Sequence, residues 1–155
     1  MLWYDNRDTD PFKTNLSAIR SNITVIPQQP DLLVGTLRSN LDPFAVHDDA
    51  TLHDALRSVR LALPLDAPIS SGGDNLSVGQ RQMVAITRAL LRRSKVVILD
   101  EATAAIDHES DVAIQRVLRQ ELVGMTLLTI AHRLRTIVDY DRIVSVIASF
   151  NSDSR

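Results

Sequence analysis

VVILDE, residues 96–101, is four apolar residues followed by two adjacent carboxylates. A short, continuous apolar run of this kind is the pattern of a buried strand. Asp100 and Glu101 then stand at its carboxyl end, where open α/β sheets bind their ligands. Period-two alternation puts the two acids on different faces of the strand end. One can face a metal shell while its neighbour reaches a water. Two solvated strand-end acids are the plain alternative.

Outward from this stretch, ITVI (23–26), TLLTI (126–130) and RIVSVI (142–147) read as further strands. Between them lie helical patterns. One starts at Asp49, with Leu52, Ala55, Leu56 and Val59 on one face, and is stopped by Pro64 and Pro68. A second is capped by Ser77 and runs to about Arg93, with Met83, Val84, Ile86 and Leu90 apolar. A third is opened by Asp107 or Ser110, with Val112, Ile114, Val117 and Leu118. LRTIV (134–138) reads as a short helix, and residues 30–70 as a helical insertion without a strand. Apolar strands alternating with amphipathic helices predict an α/β fold with a mostly parallel sheet.

The 155 residues suffice for one domain with its own core. A net charge of −2, with only Lys13 and Lys95 as lysines, predicts no nucleic-acid partner. There is no cysteine, hence no disulfide framework and no thiolate metal site. No apolar run approaches the ~18 residues of a membrane-spanning helix. The start, MLWYDNRDTD, lacks the basic and apolar regions of a secretory signal.

DNLSVGQRQ (74–82) precedes VVILDE. Ser77 and Gly79 open a helix there. A helix start offers unpaired N–H groups and a positive dipole end to an anion, and glycine permits close approach. A plain helix cap is the common reading of such a start. Within this order, LSVGQ resembles the signature sequence of ATP-binding-cassette ATPases, and VVILDE their Walker B strand. VIPQQP (25–30) resembles the Q-loop, AAID (104–107) the D-loop, and TIAHR (129–133) the switch-histidine motif. GTLRSNLDPF (35–44) is similar to the C subfamily, the multidrug-resistance-associated type. LSVGQRQ and DEATAAID resemble that subfamily's second nucleotide-binding domain.

The resemblance implies a partial P-loop NTPase fold with a helical subdomain, and ATP with Mg²⁺ as cofactors. It implies that Asp100 holds the magnesium, mostly through water, and that Glu101 acts as general base or orients the attacking water. Gln28 would bridge the magnesium and water site to the membrane-domain contact, and His132 would hold the γ-phosphate and water in register. Asp107 would work across a dimer interface, while Ser77, Gly79 and Gln80 would contact the γ-phosphate of ATP held by an opposing cassette. The implied partners are a second nucleotide-binding domain and transmembrane domains, at the cytoplasmic face of a membrane. His47, His53 and His108 have no partner pattern and receive no role, and nothing marks Trp3 or Tyr4 as a base-stacking residue.

The pattern G-x-x-x-x-G-K-[ST] of a phosphate-binding loop is absent from the sequence. Lys13-Thr14 is the only Lys-Thr pair; Arg7 stands where the first glycine belongs, and Pro11 and Phe12 cannot form a glycine nest. The resemblance covers residues 16–147 of one truncated domain. Residues 1–15 and 148–155 lie outside it. Residues 16–27 end the first part of the core, 28–94 hold the Q-loop, helical subdomain and signature, and 95–147 hold Walker B, D-loop and switch histidine. Without the P-loop strand, Val96–Leu99 is expected to keep an unpaired edge.

The functional expectation is part of the ATP-hydrolysing domain of an exporter, inactive alone because its phosphate grip is missing. The alternative is a non-catalytic module that supplies LSVGQ in trans to another cassette. A soluble cassette ATPase of repair or translation is disfavoured by the short interval from Gln28 to Leu76, which leaves no room for a coiled-coil insertion.

Overall fold

The structure, a computed structural model, describes residues 15–100, 108–131 and 140–144. In chain order the elements are α1 (Leu16–Asn22), β1 (Ile23–Ile26), β2 (Gly35–Thr36), α2 (Leu37–Leu41), α3 (Asp49–Ser58), β3 (Pro68–Ile69), a 3₁₀ turn (Ser71–Gly73), α4 (Val78–Arg92), β4 (Val96–Asp100), α5 (His108–Glu121) and β5 (Thr126–Ile130). The expected α/β class is what forms.

β1, β4 and β5 make a parallel sheet in that spatial order. Ile26 pairs with Leu99, and Asp100 with Ile130. β4 is therefore the central strand, bonded on both sides. The expectation of an unpaired edge at Val96–Leu99 is wrong: among the described residues the edges fall on β1 and β5. The misplacement came from seating an absent strand beside β4, a position that β1 and β5 already fill.

The strand registers sort the side chains by face. Thr24, Ile26, Val97 and Leu99 are buried, and Leu127 packs against the same core. α4 lies on β1 and on α5, so this face is the covered one. The alternate residues Val25, Leu128 and Ile130 are 55%, 49% and 49% exposed. Burial of every second residue is the period-two rule of a half-covered sheet. A buried hydroxyl pair, Thr24 Oγ1 and Ser94 Oγ at 2.6 Å, ties β1 to the turn before β4.

The segment from Pro27 to Leu76 is richer than expected. Two short strands, β2 and β3, pair antiparallel, with Gly35 opposite Ile69. Two-residue strands carry too little periodicity to be seen in sequence. Thr36 caps α2 through a reciprocal capping box with Ser39. α3 buries Leu52 and Leu56 as anticipated, with Val59 at its end. It stops at Ser58, before either proline, where Val59 caps it and Arg60 turns to φ +59°. α4 has Ser77 as N-cap and ends at Arg93 in the left-handed conformation, close to expectation.

α5 buries Ile114, Val117 and Leu118, whereas Val112 is exposed. Residues 142–144 form no strand. The expected helix at 134–138 and the rest of the expected strand lie outside the described residues.

Candidate functional site

Parallel pairing fixes the first part of the site. β1, β4 and β5 all run the same way and end at the same edge. Gln28 stands two residues beyond Ile26, and Asp100 one residue beyond Leu99, so both emerge at the carboxyl edge of adjacent strands. Both are exposed. Glu101, Asp107 and His132 lie outside the described residues. Among the described residues no group of three or more His, Cys, Asp or Glu side chains is placed to hold a metal ion. Asp100 and Gln28 are side chains at the described part of the edge that carry oxygen donors. A carboxylate and an amide oxygen are the hard donors that Mg²⁺ accepts.

The second part is the start of α4. Ser77 Oγ accepts from Gln80 N at 3.1 Å, and Ser77 N donates to Gln80 Oε1 at 2.9 Å. Two of the residues assigned to phosphate contact are thus committed to each other in a capping box. The commitment is partial. Ser77 accepts through its oxygen, so its own hydroxyl proton is still available to donate. Val78 and Gly79 sit in the first turn, where N–H groups have no intrahelical acceptor. Ser77 is exposed, and Gly79 and Gln80 are half-buried.

The loop that delivers Ser77 is held firmly. Ser70 N and Oγ both donate to Asn75 Oδ1 at 2.9 Å, and Asn75 Nδ2 donates to Pro68 O at 2.7 Å. Gly73 has φ +73°, and a Cβ there would lie 2.6 Å from Leu32 Cδ1. Arg81 closes the loop from the helix side, donating to Gly73 O at 3.2 Å and Leu76 O at 2.9 Å.

Three residues that join these parts were missed in the sequence. Gln82 Nε2 donates to Pro27 O and Gln28 O at 3.2 and 2.8 Å. Arg88 donates to Asn40 O at 2.6 Å, Asp31 O at 3.0 Å and Asn40 Oδ1 at 2.9 Å. Asn40 in turn brackets Leu33 through its N–H and carbonyl at 2.9 and 2.8 Å. Burial pushes the Arg88 guanidinium below its ordinary value, while Asp31 opposes the shift. The readable signal was position. Gln82, Ala85, Ile86 and Ala89 share the buried stripe of α4, and a polar residue on such a stripe asks for a partner.

Beside Arg88 runs a groove of about 730 Å³, with Leu33, Phe44 and Val46 among its lining residues. Leu33, Val34, Phe44 and Val46 are each more than 70% exposed, an apolar group in water.

A family model described as "ABC transporter" matches residues 1–104. The chain is 53% identical to multidrug resistance protein fer6 of Mycosarcoma maydis over 129 residues, covering 83% of this chain and 10% of that protein. It is 51% identical to multidrug resistance protein mrp-7 of Caenorhabditis elegans over 144 residues, covering 88% and 9%. It is 50% identical to ATP-binding cassette sub-family C member 3 of Rattus norvegicus over 148 residues, again 88% of this chain and 10% of the relative. The chain thus spans about a tenth of the length of these curated relatives.

Proposed function

Because this chain belongs to the ABC transporter family, we propose that it is part of the second ATP-hydrolysing cassette of a C-subfamily exporter. In the whole protein this part couples ATP hydrolysis to transport through membrane domains. The observation that carries the reading is the register that brings Gln28 and Asp100 to one sheet edge. Asp100, with Gln28, would hold Mg²⁺ there, and a bound metal would supply neutralisation of phosphate charge. Glu101 takes the proton of the attacking water or orients it. His132 keeps that water and the γ-phosphate in register, and Asp107 acts across the interface between cassettes. Ser77, Gly79 and Gln80 address the γ-phosphate of a nucleotide held by the opposing cassette.

The exposed apolar group around Phe44 supports a contact with the transporter's membrane domains. Among the described residues no helix is long and apolar enough to cross a membrane. The family supports a place at the cytoplasmic face of a membrane, beside those domains.

The 155 residues contain no P-loop pattern. They lack the lysine and the ring of backbone donors that grip a triphosphate. Taken alone, the chain binds ATP very weakly and does not hydrolyse it. Titration with Mg²⁺ and ATP tests this: micromolar affinity that disappears in Asp100→Asn contradicts it. The spare hydroxyl proton of exposed Ser77 favours a second reading, in which the chain lends its signature in trans. Pull-down by an intact cassette, with and without ATP, tests that reading, and Ser77→Arg abolishes any ATP-dependent capture.

A further inference from the structure

Gln82 lies in the second turn of α4 and is fully buried. Its two close partners, Pro27 O and Gln28 O, are carbonyls. Carbonyls only accept, so the group between them is the amide NH₂, and the orientation of the side chain follows from chemistry. The other end of the amide, Oε1, is buried without a partner among the described residues. An unpaired buried acceptor opposes folding. A methionine of similar length would avoid that cost and still fill the space. What the glutamine adds is its pair of bonds to residues 27 and 28.

Those two carbonyls belong to the peptide groups on either side of Gln28. Holding both fixes the planes that flank the residue, and with them the direction in which its side chain leaves the backbone. Gln82 is also five residues from Ser77 on the same helix, about 7.5 Å along the axis. On the premise of the function proposed above, we propose that Gln82 is a positioning residue: it aims Gln28 at the edge it shares with Asp100 and couples it to the signature end of α4. Arg88, six residues further along, holds Asp31 and Asn40 to the same helix. The segment is therefore gripped on both sides of the turn that follows Gln28. A displacement of α4 carries Gln28 with it.

The test uses this chain, labelled for NMR, with Gln82→Met and Gln82→Glu. In the wild type the Gln82 side-chain amide protons exchange at least about ten-fold more slowly than those of exposed Gln29. In Gln82→Met the carbonyl resonances of Pro27 and Gln28 move, while those of the Ser77–Gln80 cap do not. In Gln82→Glu they move likewise once the acid is ionised, which burial and the facing carbonyls defer to higher pH, and return toward wild type as the acid gains its proton and can donate. A residue that merely fills space has no such pH profile. Fast exchange in the wild type, a change in Gln82→Met spread evenly over α4 and the sheet, or a Glu variant indifferent to pH overturns the proposal. Should Gln82→Met fail to fold, the wild-type exchange and the Glu profile still decide.

ATP-dependent capture by an intact cassette separates this proposal from the function it rests on. Absence of capture in the wild type sinks the reading in which the signature acts in trans, while the resonances still report the latch. On capture the Gln28 carbonyl resonance shifts in the wild type, and in Gln82→Met it shifts at most about half as far, because the latch that links it to α4 is gone. A shift of equal size in both overturns the coupling.

Discussion

Leu52 and Leu128 are the same side chain in two regions closed to different degrees. Leu52, on α3, is fully buried, in a segment whose loops end in caps and side-chain brackets. Leu128, in the middle of β5, is 49% exposed, on the sheet face opposite the one that α4 covers. The segment from Pro27 to Leu76 closes with contacts made largely within itself and with α4. The parallel sheet closes on one face only among the described residues, whereas such sheets are ordinarily covered on both. Capping and turn chemistry act over a few residues; covering a sheet takes elements far away in sequence.

The sharpest way to break the comparison is to truncate both leucines. Leu52→Ala empties a site with no access to water and costs about 2–5 kcal/mol. Leu128→Ala removes a side chain already half in water and costs below about 1 kcal/mol. Urea midpoints at constant m-value measure both. Equal losses mean that the outer face of the sheet is covered in solution, and the contrast disappears.

The second prediction concerns the seam between the two regions. Arg88 bonds three acceptors on Asp31 and Asn40. Arg88→Met keeps most of the apolar stem and strips all three bonds. Bonds to a charged donor are stronger than neutral ones, and the loss is about 2 kcal/mol. Hydrogen exchange then rises in residues 31–41 and not in β4. A rise shared equally by β4 shows that the seam and the sheet unfold together.

Gly73→Ala is the third. The residue is left-handed, and its new Cβ meets Leu32 Cδ1 at 2.6 Å and Arg81 Cδ at 3.1 Å. The backbone penalty alone is about 1–2 kcal/mol. Gly124 is also left-handed, at φ +84°, yet no atom of the described residues lies within 4 Å of a Cβ there. Gly124→Ala therefore costs less than Gly73→Ala, and thermal midpoints of the two variants measure the difference. A Gly73 cost no larger than that of Gly124 removes the packing part of the argument.

These residues also show what could be read in advance. VVILD, ITVI and TLLTI were legible as strands because an apolar run bounded by turn signals has few other readings. Ser77 was legible as a cap because serine followed three residues later by glutamine is a local signal. Strand order was not legible, since nothing in VVILD states its neighbours; the expected bare edge was misplaced for that reason. β2 and β3 depend on contacts between residues 35–38 and 65–69, and no short window contains both. Of the candidate site, Gln28 and Asp100 were found by motif and share an edge through register. Gln82 and Arg88 escaped because their importance lies in partners 48 to 57 residues away.

The smallest expected effect is on acid stability, and it falls on the self-contained region. Burial alone would raise the Asp42 carboxyl, but the N–H groups of His47 and Val46 hydrogen-bond to it at 2.7 and 3.1 Å and hold it below 3.8, with help from the charges of His47 and Arg38. Asp48, the N-cap of α3, is likewise lowered by hydrogen bonds from the Thr51 side chain and backbone N–H. A depressed folded value means that the folded state binds fewer protons than the unfolded one as acid is added. The stabilisation is therefore fully present above the unfolded carboxyl value near 3.8 and is lost as pH falls through the folded values. Asp42→Asn and Asp48→Asn lower the urea midpoint slightly at pH 7 and flatten its decline between about pH 5 and 2. A decline as steep in the double variant as in the wild type places the acid-sensitive groups elsewhere and removes this distinction between the two regions.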